Sequence, residues 1–368
     1  MIILSIEIGA HGIQCWRRAF TLIETLVVIS VICLLTALLL PALQSARESS
    51  RRARCIANFA QVGLAVQNYA STTGYFPPGA IHWTSGGGAS DLNPRVEVQF
   101  SMFTRILPQL EQNSLFDSIN FNNSIIAPKS FGSDSGLWIE HRANETVRST
   151  RLDVLLCPSD TAPEPSLSAG TNLRSNEGTM SFLTPNDSFR LSGPAGLVYV
   201  KTRPRFSSWN STTVASVTDG LSSTVFLSEK LRGGEIYGND ADLERFDSKR
   251  HYVFKPSVLR STSSDEVVRI CDDPTERITG YNPLSGLVWM IGHMSNATYN
   301  HVALPNPPFA DCIFDWIGSV SARSHHHGGV NVGIADGSVR FVRNGISLQV
   351  WRAIGSKAGN EVISLDAF

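Results

Sequence analysis

The stretch Arg17-Arg18-Ala19-Phe20-Thr21-Leu22-Ile23-Glu24 runs directly into the apolar segment 25–40 and then Pro41. Residues 20–40 form about 21 helical residues, or roughly 30 Å at about 1.5 Å per residue, which matches the hydrocarbon thickness of a bilayer. A cleaved secretory signal has a shorter apolar core, about 7–15 residues, with small residues after it. Here Ala19 and the arginine pair precede a longer run. Glu24 places a carboxylate at the head of this run, and an ionisable group inside a span marks function by default. Pro41 removes one backbone hydrogen bond and kinks a helix that continues past it. Beyond Pro41, Leu43, Ala46, Ala53, Ile56, Phe59 or Ala60, Gly63, Val66 and Tyr69 recur at spacings of three and four. One long helix is therefore expected over 20–70, its second half packed on the remainder of the chain.

The rest of the chain reads differently. Charge is balanced at 31 Lys+Arg against 32 Asp+Glu, so no global basic field points to nucleic acid. Twenty-nine glycines and 18 prolines suit a body rich in loops and strands. Tyr75-Phe76-Pro77-Pro78-Gly79 ends the long helix. Residues 101–116 read as a helix interrupted near Pro108. Short apolar runs at 152–156, 196–200, 224–227, 286–291 and 312–317 read as strands. They do not alternate regularly with helices, which argues against a doubly wound parallel sheet. Gly86-Gly87-Gly88 lies in a loop without the lysine and strand-to-helix context of a phosphate loop. Near the C-terminus, Asp336-Gly337 separates two alternating runs, the signal of a two-residue type I′ hairpin. That register places Val330, Val332 and Ile334 on one face with Val339 and Phe341, facing a partner such as the long helix.

Chemistry-bearing residues are sparse. Ser324-His325-His326-His327 offers imidazoles, with His325 and His327 on one face of a strand, but no further motif completes a zinc set. A polar entry to the hairpin, with His326 bonding backbone or Asp336, is the simpler expectation. Acidic turns at Asp219 and Asp336 supply oxygen ligands of the kind calcium takes, yet the carboxylates are scattered. No Gly-x-Ser-x-Gly elbow marks a hydrolase. Six cysteines are too few for a disulfide scaffold. Cys271 with Cys312 is the favoured pair in an oxidising compartment, and Cys157 with Cys312 is its rival. This reading assigns no enzyme activity, no metal and no cofactor.

Two resemblances connect the ends of the chain. Phe20-Thr21-Leu22-Ile23-Glu24 resembles the cleavage and methylation box of type IV prepilins and type II secretion pseudopilins. The family has Gly before the cut, where this chain has Ala19. His326, separated by nine residues from Asp336-Gly337, resembles the H-x9-DG domain that accompanies such N-termini. Tyr75-Phe76-Pro77-Pro78-Gly79, the segment from Ile106 to Gln112, Leu156-Cys157-Pro158-Ser159-Asp160, the segment from Thr218 to Thr224, and Pro305-Asn306-Pro307-Pro308 look like stations of the same bacterial family, domain of unknown function 1559. The resemblance covers about 20–364.

It implies a leader at 1–19, cleavage between Ala19 and Phe20, and N-methylation of Phe20 by a prepilin peptidase/methylase. It further implies a transmembrane and assembly helix at 20–70 and an exported α+β domain at 71–368, with a pilin-like body of antiparallel sheet and many loops. Glu24 would neutralise the freed amine of a neighbouring subunit's Phe20, since opposite charges in a low dielectric are tolerable only when paired. The expected location is the inner membrane, single-pass, with the body outside the cytoplasm. Partners would be other pilin-like subunits and the membrane, with no nucleic acid. Charge counting alone opposes this topology, because Arg47, Arg51, Arg52 and Arg54 follow the span; the box decides it. The alternative is a membrane-anchored envelope protein whose large body binds a glycan, peptide or surface partner.

Overall fold

A computed structural model describes residues 21–84, 96–121, 144–163, 168–179, 193–194, 197–201, 212–234, 246–283, 285–314 and 317–361. Ala19, Phe20, the leader and the Gly86-Gly87-Gly88 loop lie outside these residues. The chain divides into two compact units, Met1–Ser50 and Arg51–Phe368. Helix α1 (Leu22–Thr73) contributes its first part to one and its second part to the other.

In the first unit α1 is the one helix, among the described residues, that is long and apolar enough to cross a membrane. The hydroxyl side chains of its apolar stretch bond back to the helix itself. The hydroxyls of Thr25, Ser30 and Thr36 donate to the carbonyls of Leu22, Val27 and Ile32. This back-bonding is what a lipid environment requires of polar groups. Pro41 lies inside the helix, as its sequence position suggests. The N-terminus closes with a reciprocal cap: Glu24 Oε2 accepts from the Thr21 N–H and hydroxyl, both at 2.9 Å, and the Glu24 N–H donates to Thr21 Oγ1 at 3.3 Å. Thr-x-x-Glu is a capping box.

In the second unit α1 buries Cys55, Phe59, Val62, Gly63, Ala65, Val66 and Ala70. The expected stripe was right at Phe59, Gly63 and Val66. It was out of phase nearer Pro41, where Ile56 is exposed and Cys55 is buried instead. A disulfide from Cys55 to Cys157 fixes the helix in that rotation. Gly74, at φ +77°, ends the helix and donates its N–H to the Ala70 carbonyl, the left-handed stop that glycine permits.

The body contains β1 (Ala80–Thr84), β2 (Val96–Ser101), β3 (Leu173–Asn176), β4 (Leu197–Lys201), β5 (Val225–Glu229), β6 (Tyr252–Phe254), β7 (Gly280–Asn282), β8 (Thr298–Tyr299), β9 (Asp311–Phe314), β10 (Ile317–Ser319), β11 (Gly329–Ile334) and β12 (Val339–Arg343). Its helices are α2 (Met102–Arg105), α3 (Asn113–Asp117), α4 (Glu145–Ser149), α5 (Ser264–Asp272) and α6 (Leu348–Gly355). Three sheets run β2-β1-β4, β10-β9-β6-β7 and β12-β11-β5-β3-β8. The class is α+β. Each sheet is mixed and includes one parallel pair, namely β1 with β4, β6 with β9, and β3 with β8; antiparallel pairs predominate in the two larger sheets, and the three-stranded sheet has one of each.

Some local expectations change. Residues 152–156 form a 3-10 turn, Asp153–Leu155, rather than a strand. The run 286–291 forms turns with a single bridge from Ile291 to Phe100. The apolar run at 312–317 belongs to two paired strands, β9 and β10. These segments are apolar because they fill the core, where hydrophobicity alone does not separate strand from turn.

The C-terminal hairpin is corrected by one residue. Gly333 pairs with Val339 and Val330 with Val342. Ile334 N–H donates to Ser338 O at 2.8 Å, and Gly337 N–H donates to Ile334 O at 2.9 Å. The loop is therefore the three residues Ala335, Asp336 and Gly337. Only Gly337 has positive φ, at +90°, which fits a type I turn closed by a glycine bulge rather than type I′. An odd loop shifts the register and exchanges the faces of one strand. Val330, Val332 and Ile334 join Val342, Trp351 and Ile354 in one core beside α6. Val339 packs instead against the core that holds Phe59, Val62 and Val66 of α1. Phe341, on the Val339 side of the strand, receives the Arg52 guanidinium 3.9 Å from its ring centroid.

The hairpin tip meets α1 closely. Gln67 donates its amide N–H to the Ala335 carbonyl. A Cβ placed on Gly63 would lie 3.1 Å from the Gly337 carbonyl oxygen and 3.3 Å from its Cα. Backbone leaves little room to yield, so Gly63→Val should destabilise the body by about 1–3 kcal/mol, the cost of overpacking. Chemical denaturation checks this, with exposed Leu64→Val as the near-neutral reference.

Candidate functional site

Among the described residues, four side chains of metal-ligating type converge where α1 meets the entry to β11. Cys55 comes from α1, Cys157 from the turn after Asp153–Leu155, Glu229 from the end of β5, and His326 from the bend before β11. Their ligand-type atoms lie within 4.8 Å of one another, and all four residues are buried. Cys55 and Cys157 are joined as a disulfide. His326 Nε2 lies 3.5 Å from Cys157 Sγ and 3.5 Å from Glu229 Oε2. The other Glu229 oxygen accepts the Asn331 N–H at 2.6 Å. Strand pairing thus orients the carboxylate toward the imidazole. The Cys157 N–H donates to Asn172 Oδ1 at 3.0 Å, which fixes the turn carrying the sulfur.

Two buried ionic groups flank this cluster. Asp160 accepts from Asn172 Nδ2 at 2.6 Å, from the Arg232 N–H at 2.9 Å and from Arg250 Nη1 at 2.6 Å. Burial opposes its charge, but these donors and the Arg250 charge outweigh burial and hold its pKa below the ordinary aspartate value. Arg250 also approaches His325, with Nη2 to Nε2 at 2.8 Å. A guanidinium only donates, so Nε2 accepts and the ring is neutral. Partial burial first, and Arg250 second, lower the His325 pKa.

The second group centres on Asp311, which is fully buried. Its Oδ1 accepts from Arg323 Nη2 at 3.1 Å and from the Ser321 N–H at 3.1 Å, and its Oδ2 accepts from the Lys230 ammonium. Burial works against the carboxylate, yet Arg323 and Lys230 prevail and leave its pKa lowered. Burial, opposed by Asp311 and reinforced by Arg323 and Arg174, draws the Lys230 ammonium down to about 7. Asp311 therefore secures its charge through Arg323 as well as Lys230. A cleft of about 10 Å³ is lined by Cys157, Asp160, Glu229, Lys230 and His325 among others.

The two ends of the H-x9-DG spacing do different work. His326 is buried against Cys157 and Glu229. Asp336 is exposed, and its Oδ1 accepts the N–H (2.9 Å) and hydroxyl (2.6 Å) of Ser338. The expected His326–Asp336 contact gives way to this separation, because six-residue β11 stands between them and spans about 20 Å. Both ends nevertheless meet α1. His326 reaches it through the Cys157–Cys55 bridge, and Gly337 lies against Gly63. The spacing thus lays the strand along the helix and ties it at two points. His325 and His327 do not form a paired face, since β11 begins only at Gly329 and His325 is held by Arg250.

The structure joins Cys271 to Cys312, linking α5 to β9. The rival pairing of Cys157 with Cys312 is excluded by the bridge to Cys55. Sequence reasoning missed Cys55 and Glu229. One signal was available: once Cys271 and Cys312 pair, Cys55 and Cys157 are the two cysteines left in the body. Glu24 caps α1 through Thr21, a role that the Thr-x-x-Glu spacing contains. His293 and His301, whose pKa values burial pushes down to about 4 and about 3, are bonded within the core. A separate apolar groove of about 240 Å³ involves Val268, Leu304, Pro305, Phe309 and Leu348.

The model of a protein family of unknown function, DUF1559, matches residues 44–349. No curated protein and no solved structure matches the chain.

Proposed function

The chain belongs to the DUF1559 family, and from that premise we propose that it is a prepilin-like envelope protein, cut between Ala19 and Phe20, N-methylated on Phe20, and assembled through α1 in a type II secretion or type IV pilus-like system. The family and the apolar N-terminal helix fit a pilin-like envelope protein; processing and assembly are the finer part of the reading. One observation carries it. A carboxylate, Glu24, heads a membrane-length apolar helix that continues as one element into residues buried in the body core.

Such a carboxylate is expensive in lipid unless it is paired. Its capping bonds to Thr21 meet part of that demand. The freed amine of a neighbouring Phe20 would meet the rest. The enzyme partner is a prepilin peptidase/methylase, and the structural partners are other pilin-like subunits within the inner membrane.

Glu24→Ala tests the assembly step. Cleavage should proceed normally, while in vivo cross-linking between subunits through α1 should fall by at least about tenfold, a loss of roughly 1.4 kcal/mol. Unchanged cross-linking would count against the pairing role.

A further inference from the structure

We propose that Cys55, Cys157, Glu229 and His326 form a redox-gated site for a zinc-type divalent cation, closed to metal when the cysteines are joined and open to it when they are reduced. The inference does not depend on N-terminal processing. Two sulfurs, one imidazole nitrogen and one carboxylate oxygen converge from four separate elements within 4.8 Å. Four ligands of these types are what a closed tetrahedral zinc site takes. Soft sulfur ligands favour zinc over magnesium or calcium. The geometry is supported from outside. Asn331 holds the Glu229 oxygen that does not face His326, leaving Oε2 directed into the cluster. Partners of this kind orient metal ligands.

Charge also favours the loaded state. Zinc with two thiolates, one carboxylate and a neutral imidazole carries one net negative charge. Around it, Lys230, Arg232, Arg250 and Arg323 face three further carboxylates, Asp160, Asp247 and Asp311. Basic groups outnumber these carboxylates by one, which suits a centre carrying one negative charge. Two thiolates on tetrahedral zinc sit about 3.8 Å apart, from a Zn–S distance of about 2.3 Å, wider than a sulfur–sulfur bond. Opening of the bridge must therefore be accompanied by rotation of at least one cysteine side chain.

The exchange balances with a dithiol as reductant. One thiolate of the dithiol attacks Cys157 Sγ, Cys157 being the bridge residue that lines the cleft, and the S–S bond breaks with Cys55 leaving as thiolate. The second thiol of the reductant then displaces Cys157 and forms the reductant's own disulfide. Two electrons pass from the dithiol to the protein. Zinc binding releases the two protons that the protein thiols would otherwise hold.

The test uses the full chain in detergent. It is treated with dithiothreitol, desalted without oxygen, and exposed to Zn(II) or Co(II). The reduced wild type should retain one zinc per chain, and its cobalt form should show tetrahedral ligand-field bands with thiolate-to-cobalt charge transfer. The oxidised wild type and reduced Cys55→Ser/Cys157→Ser should retain none. His326→Ala and Glu229→Gln should each weaken retention against a competing chelator by at least about tenfold. A reduced wild type that keeps no metal overturns the proposal. So does a Cys55→Ser/Cys157→Ser chain that keeps as much as wild type, which would place the metal at other thiols. The cobalt spectrum of the reduced wild type needs no variant, so misfolding of a mutant leaves the test intact.

Discussion

Replacing Asp311 by Asn should destabilise the body by about 3–5 kcal/mol, the cost of removing one partner from a buried ion pair. The carboxylate is fully buried, and both Lys230 and Arg323 depend on it. Asn keeps the shape but leaves the buried Arg323 guanidinium without its counter-charge and takes from Lys230 the carboxylate that holds its proton. Asp265→Asn is the matched control. It breaks the 2.6 Å contact with Arg352 at a site where the aspartate side chain is 77% exposed, and should cost less than about 1 kcal/mol. Urea titration of the two variants separates them. The same carboxylate gives a pH signature. The folded pKa of Asp311 lies below the ordinary 3.8. Its stabilisation is therefore present above that value and is lost as the pH falls through the folded pKa. Asp160, also lowered, adds to the same acid limb. Wild type should lose stability below about pH 4, and Asp311→Asn should show a shallower acid slope.

The second large effect lies at the helix–body staple. Cys55→Ala/Cys157→Ala removes a bridge between residues 102 positions apart. Closing a loop of that length restricts the unfolded chain by about 4–5 kcal/mol in the entropic model. A loss of about 4 kcal/mol is expected, read as a lower denaturation midpoint. Full reduction of the wild type without metal should lower the midpoint further, because it opens the Cys271–Cys312 bridge as well. Cys271→Ala/Cys312→Ala, with a separation of 41, should cost less by under about 1 kcal/mol, since closure entropy grows only with the logarithm of loop length. An equal midpoint for the Cys55→Ala/Cys157→Ala chain and wild type would show that α1 is held by packing alone.

Much of this architecture was legible in the sequence because the signals were long or paired. A 3.6-residue pattern running past Pro41 specified α1, and a glycine-bounded alternation specified β11 and β12. Single-residue decisions were not legible. Asp336-Gly337 suits either a two-residue or a three-residue loop. The extra residue, Ala335, is fixed by the Gln67 amide on α1, a contact 268 positions away in sequence. Likewise, Cys55 and Ile56 are adjacent apolar candidates for the buried stripe, and a bridge to Cys157 decides between them. Glu229 carries no local signal, since it reads as the polar end of a strand. It becomes a site residue only when β5 pairs with β11 and Asn331 turns its carboxylate toward His326. Apolar runs at 152–156 and 286–291 were misread as strands because core turns and core strands have the same composition.

In the proposed function, Glu24 and the apolar part of α1 belong to a processed, assembling N-terminus, with the body tied to the same helix at Cys55 and Gly63. Mass spectrometry of the N-terminus of the mature protein, isolated from membranes, is the decisive measurement. The chain should begin at N-methyl-Phe20. An intact Met1, or a chain beginning after Leu40, would rule out processing at Ala19–Phe20.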